Sequence, residues 1–331
     1  MASPRNAREE AQRIAGDRGR ALVLEPSPPA VAAEPFADDP PALSDAAGAV
    51  VSPIARTGAA DLMTWDELAA SDPAVAGFAA ARWLGAWSRL RPLPAGFGTT
   101  RLGLHRVAAY VMSPARRQVN GKIGLRHTMG GFGTPFFSLN GTDTQIRVEG
   151  TELVRQSGDG ADAFPLTTLN AAGAAIGIEP DVAWASEFDI PEPGGLDDDL
   201  GVDAESASVL ADWYGFAYSV LEELRADEAS VDASNPQLWP EHFDPAIEVG
   251  SDEAKHRGSY GFSPGDAEGG NAEPYIYVSA WYPDDALDDD PFWNSTTYPG
   301  AILTYAELLA ADDQRATALA FMRRGRDLIA S

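Results

Sequence analysis

Strand-like segments in this chain come in runs joined by tight turns, and that grouping constrains its fold more than any other feature. GKIGLRH, TPFFSL, TQIRVEG and TELVRQS follow one another between residues 121 and 157, punctuated by Gly141 and an SGDG turn. A second run holds LWPEHFDPAIEVG, GSYGFSPGD and EPYIYVSAW, with Pro and Gly at the ends of its segments. Alternating segments with short Gly-bearing connections read as hairpins. Helical periodicity brackets the runs. It predicts a helix from Leu102 to Met112 that ends before Ser113-Pro114, and a second over 166–177, stopped by glycine. The clearest is 204–229, with Trp213, Phe216, Val220 and Leu224 on an apolar stripe opposite an acidic face. Asp72-Pro73 opens an amphipathic helix through Leu90, VAWASEF reads as a short strand, and a last helix spans Ala316 to Ile329. Capping boxes stand at Thr64 to Glu67 and Thr304 to Glu307. Strands grouped in this way predict an α+β fold with antiparallel sheet packed against several helices, not a doubly wound parallel sheet.

Residues 1–61 carry EPSPPAVAAEPFADDPPAL, a stretch too rich in Pro and too poor in large apolar side chains to pack, and read as a disordered acidic tail. Residues 62–331 read as one α+β domain. Within it, helix followed by a GKIGLRH-like strand recurs, which suggests two similar halves, about 72–180 and 204–331. The N-terminus is charged with no apolar segment behind it, and no run approaches a membrane span, so the expectation is a soluble cytoplasmic protein. The absence of cysteine excludes disulfides, thiolate metal sites and cysteine nucleophiles.

The formal net charge is −26, which disfavours nucleic acid and anionic lipid as partners. The charge is segregated. Pro73 to Thr142 contains no Asp or Glu, whereas Gln156 to Leu224 contains no Lys or Arg and 15 acids. Either the two segments neutralise one another inside one fold, or the basic one lines a cleft for an anion.

In LWPEHFD, a regular strand would put Trp239, Glu241 and Phe243 on one face and Leu238, His242 and Asp244 on the other. The aromatic pair then reads as core, and His242 and Asp244, with His105, are the catalytic candidates. His105 sits at the border of its helix's buried stripe, beside Arg101 and inside the acid-free segment. In EPYIYVSAW, Tyr275 and Tyr277 alternate with Ile276 and Val278, giving one polar aromatic face and one core face, the former a candidate wall for a ligand. The acidic runs at 197–199 and 283–291 do not fit a calcium loop, no GxSxG elbow occurs, and GxxxxGK[ST] is absent. No cofactor and no metal site is expected.

LGLHRVAAYV…GKIGLR, EFDIPEPGG, WPEHFDPAIEV, YGFSPGD…EPYIYVSAW and LTYAELL…ALAFMRRGRDLI, in that order over about 65–329, resemble a bacterial family, common in actinobacteria, known as a domain of unknown function. The resemblance implies one architectural unit over that span and assigns no activity. The family's Trp- and His-rich strand is replaced here by GGFGTPFF, and Glu241 and His242 stand where its members carry small residues.

The expectation drawn from these features is a small polar or anionic ligand bound in a cleft. Arg101 and His105 from the basic segment would face Trp239, His242, Tyr275 and Tyr277 across it. The alternatives are a hydrolase using His242 and Asp244, and an acidic protein-interaction module. The sequence does not fix an oligomeric state.

Overall fold

The computed structural model describes residues 3–6, 50–51, 63–64 and 87–331, except 129, 135–136, 158–159, 184–189, 235, 267–269 and 284–288. The expected Asp72–Leu90 helix, the Thr64–Glu67 capping box, most of the 1–61 tail and most of VAWASEF therefore lie outside the described residues. Short ladders are described at β1 (Ser3–Asn6), β2 (Val50–Val51) and β3 (Met63–Thr64).

The fold is α+β with antiparallel sheets. The front sheet contains β4 (Arg126–Thr128), β5 (Gly131–Gly133), β6 (Phe137–Leu139), β7 (Thr142–Glu149), β8 (Glu152–Ser157) and β9 (Gly160–Pro165), ordered β1-β9-β8-β7-β5-β4 with β6 also on β7. The rear sheet is a meander, β10 (Gln237–Trp239), β11 (Asp244–Val249), β12 (Gly258–Ser263), β13 (Tyr275–Ala280) and β14 (Gly300–Thr304), in chain order. Among the described residues, one antiparallel bridge, Leu125 to Leu238, joins the inner edges of the two.

The helix expected to stop at Met112 does not stop. α1 (Phe97–Val107) passes into a π-helical turn, Ala108–Met112, and on into α2 (Ser113–Asn120). Pro114 stands in the first turn of α2, and the wider turn before it absorbs the missing N–H that would otherwise end the helix. α2 closes on Gly121 at φ 78°. α3 (Leu169–Ile176) is capped by the Thr168 side chain, which accepts from the Ala171 N–H, and ends on left-handed Gly177.

α4 (Ala204–Ala226) departs from its expected two-sided character. Every residue from Val209 to Glu222 is buried, including Asp212 and Glu222 of the acidic face. It packs on β4 and β5 of the front sheet, on β11 and β12 of the rear sheet, and on α1 and α6 (Gln314–Ile329). Its acids survive burial because arginines meet them. Arg91 lies 3.6 Å from Asp212 and Arg225 lies 2.6 Å from Glu222. Arg126 also acts on Glu222, although burial dominates and raises that carboxyl's pKa. Ahead of α6, α5 (Tyr305–Ala310) opens on the expected Thr304–Glu307 capping box.

Candidate functional site

LWPEHFD is a hairpin, not a strand. β10 ends at Trp239, Pro240 to Phe243 form the turn, and β11 starts at Asp244, which pairs with Trp239. Pro240 has no N–H to continue the ladder, and Phe243 takes φ 56°, an uncommon left-handed conformation for an aromatic residue. Strand alternation therefore fails across the turn, correcting the faces expected from the sequence. Phe243 is fully buried, Trp239 is half-buried, and His242 is exposed in the turn. The Phe243 conformation is held by its surroundings. Its carbonyl accepts from the Tyr214 hydroxyl at 2.7 Å, and its ring meets Phe132 edge-on at 4.9 Å.

Beyond the turn, alternation holds. Asp244, Ala246 and Glu248 of β11 share a face with Ser259, Gly261 and Ser263 of β12 and with Tyr275, Tyr277 and Ser279 of β13. The opposite face carries Ile247, Tyr260, Phe262, Ile276 and Val278, all core. The Tyr277 ring lies over Gly261, whose missing side chain makes the space, and its hydroxyl donates to Asp244 Oδ2 at 2.5 Å. Asp244 is 3% exposed, and its Oδ1 has no hydrogen-bond partner. Burial raises the Asp244 pKa against the lowering effects of His242 and of the Tyr277 bond.

Four residues along the same face, burial pushes Glu248 up to about 7, opposed by Ser259, whose hydroxyl lies 2.9 Å from both carboxylate oxygens. Ser259 in turn accepts from the Trp281 indole at 2.8 Å, and the Arg257 guanidinium sits 5.1 Å over the Trp281 ring. Tyr275, Tyr277 and Tyr298 form a chain of rings, with centroids 6.3 and 6.4 Å apart and interplanar angles of 53° and 81°.

α1 closes one corner of this face. His105 stacks on Phe243 at 4.9 Å, with planes 8° apart, and its Nε2 lies 2.8 Å from the Pro240 carbonyl. A carbonyl only accepts, so Nε2 carries the hydrogen in the neutral ring. Burial brings the His105 pKa down to about 4, outweighing the Pro240 bond, while Arg101 and His242 lower it further. One turn earlier, the Arg101 guanidinium lies against Gly265 and donates to the Ala272 carbonyl at 3.4 Å, with Asp266 nearby.

Arg101 and His105 thus reach the β10–β11 turn and the β12–β13 loop, while Tyr277 reaches Asp244 and neighbours Tyr275. His242 does not hydrogen-bond Asp244, whose bond goes to Tyr277 instead, so the base-and-orienter pairing expected for a hydrolase is not formed. The sequence reading did not single out Glu248, Ser259, Trp281 or Tyr298. Glu248 was within reach of the period-two rule from Asp244, but Tyr298 lies in a loop with no local signal. Asp198 and Asp199 accept backbone N–H groups within their own turns, Asp197 accepts from Asn170, and Asp290 pairs with Arg324. Among the described residues no group of three or more His, Asp or Glu is disposed to hold a metal, and no helix is long and apolar enough to cross a membrane. Set against protein-family models, curated proteins and solved structures, the chain matches none.

Proposed function

We propose that this protein binds a small polar molecule on the polar face of the rear sheet, at the corner closed by α1. The observation that carries the reading is Asp244, a buried carboxyl with one oxygen held by Tyr277 and the other without a partner. An unsatisfied buried acceptor costs about 1–3 kcal/mol, and a ligand donor would recover it. The tyrosines beside it supply apolar ring area and the neutral His105 a fixed wall, the usual make-up of a small-molecule site. Asp244 and Glu241 lie at the corner and Glu248 stands four residues along the same face, while Arg101 is directed at the Asp266 loop. The local field therefore favours neutral or positive ligands over the anion that the arginine-rich segment alone would suggest.

A thermal-shift screen of small polar compounds on the full chain tests the proposal, because binding to the native state raises the melting temperature whatever the chemistry. Hits whose shift disappears in Asp244→Asn and falls in Tyr277→Phe support it. Hits indifferent to both substitutions remove it.

A further inference from the structure

We propose that Glu248, Ser259 and Trp281 form a proton-operated latch at the end of the rear sheet, in which the ionised carboxylate holds the Trp281 indole through the Ser259 hydroxyl and protonation loosens it. The latch does not depend on a ligand at Asp244. Its three side chains share one face of neighbouring strands. Register pairs Ser259 with both Glu248 and Ser279, and Trp281 directly follows β13. The Ser259 hydroxyl has one hydrogen, and the carboxylate 2.9 Å away takes it. The hydroxyl oxygen is left to accept from Trp281 Nε1 at 2.8 Å. Trp281 is 49% exposed, so this bond and the Arg257 guanidinium over its ring are tethers on an indole that water already reaches. Arg257 is steadied from its other side by Asp252, 3.8 Å from Nη1, and the Tyr282 hydroxyl donates to the same carboxylate.

Both tethers depend on the charge of Glu248. A hydroxyl donating to a carboxylate makes a bond roughly twice as strong as to a neutral acceptor, and the donation polarises its oxygen to accept more strongly. Arg257 acts on Glu248 as a charge rather than as a bonded donor. Burial disfavours the ionised carboxyl, while Ser259, Arg257 and Trp281 favour it, so by reciprocity protonation weakens the hold of each. Asp244, further along β11, opposes those three. Glu248 also acts on Tyr277 of β13 and Tyr260 of β12, whose hydroxyls burial pushes further above neutrality. Burial dominates at Glu248 itself and puts its change of charge near pH 7. His256 stands exposed beside Arg257 in the β11–β12 turn, and histidine is the side chain that ordinarily titrates in this range. The test must therefore separate the two.

Proton–nitrogen correlation spectra of the indole groups, recorded on the full chain from about pH 5 to about pH 9, provide it. The Trp281 signal is identified by its loss in Trp281→Phe. The expected result is a single transition of the Trp281 Nε1–H with its midpoint near pH 7, moving upfield on the acid side as the bond weakens. Acrylamide quenching of the Trp281 fluorescence should rise in parallel. Glu248→Gln and Ser259→Ala should each abolish the transition, and His256→Gln should leave it in place. A Trp281 signal that is flat across the range overturns the latch. So does one that still titrates in Glu248→Gln, or one that stops titrating in His256→Gln. If Glu248→Gln does not fold, Ser259→Ala decides, because a transition that survives without the hydroxyl does not run through it.

Discussion

Leu125 and Leu238, 113 positions apart in the chain, exchange backbone hydrogen bonds of 2.8 Å in both directions and so bridge the two sheets. Both side chains are buried against the core. The first strand after the α1–α2 helix and the first strand after α4 therefore meet edge to edge, running antiparallel.

Leu238→Ala should cost about 2–5 kcal/mol, as for other fully buried leucines. Denaturant unfolding measures the cost. Hydrogen exchange should show the Leu125 and Leu238 amides losing protection together, since each donates to the other's carbonyl.

Gly261→Ala drives a methyl group into the Tyr277 ring. The expected loss is about 1–3 kcal/mol from overpacking. Adding Tyr277→Ala should recover part of that loss, so the double-mutant cycle yields a coupling energy rather than additivity.

Two groups on the candidate site set opposing pH dependences. Glu248 rises from an ordinary 4.5 to about 7 in the folded chain, so between those values the native state holds more protons than the unfolded one. Stability attributable to Glu248 is thus highest below pH 4.5 and falls as pH climbs toward 7. His105 drops from 6.5 to about 4, so its contribution is fully present above 6.5 and is lost as pH falls toward 4. Glu248→Gln should be more stable than the parent at pH 8, and His105→Gln should hold up better at pH 4. Each difference should be on the order of 1–3 kcal/mol. Urea midpoints across the range check both. Parallel curves for parent and variants would show that neither group titrates as described.

Thr304→Ala removes the side chain that accepts from the Glu307 N–H at 3.3 Å, and Glu307→Ala removes the carboxylate that accepts from the Thr304 N–H at 2.8 Å. Either change should cost about 0.5–2 kcal/mol. The two together should cost less than their sum, because the capping box acts as a unit. Chemical denaturation of the single and double variants measures it.

Much of the architecture was legible in residue patterns. Gly177 marked the end of α3, Thr304 and Glu307 marked α5, and the grouped strands marked antiparallel sheet. The failures have physical causes. Pro114 looked like a stop because nothing local announces the π-helical turn that accommodates it. LWPEHFD looked like a strand because periodicity was carried through Pro240, where the chain instead reverses. α4 looked two-sided because its acids read as a face opposite the apolar stripe, whereas Arg91 and Arg225 sit against Asp212 and Glu222. At the candidate site, Tyr275 and Tyr277 were visible from alternation, and Asp244 from its place in a loaded heptapeptide. That Tyr277, rather than His242, would hold Asp244 depends on its ring, two strands and 33 positions from Asp244, fitting over Gly261 on the strand between.

The burial of α4 has a consequence for how the chain can be divided. A helix enclosed by strands of both sheets together with α1 and α6 is shared property, and neither flank can keep it dry alone. Cutting the chain after residue 226 would strip Trp213 of Phe262 and Tyr305, and cutting it before residue 204 would strip Tyr214 of Phe132. Fragments that look self-sufficient by length should therefore aggregate or stay unfolded, and recover structure only when co-expressed.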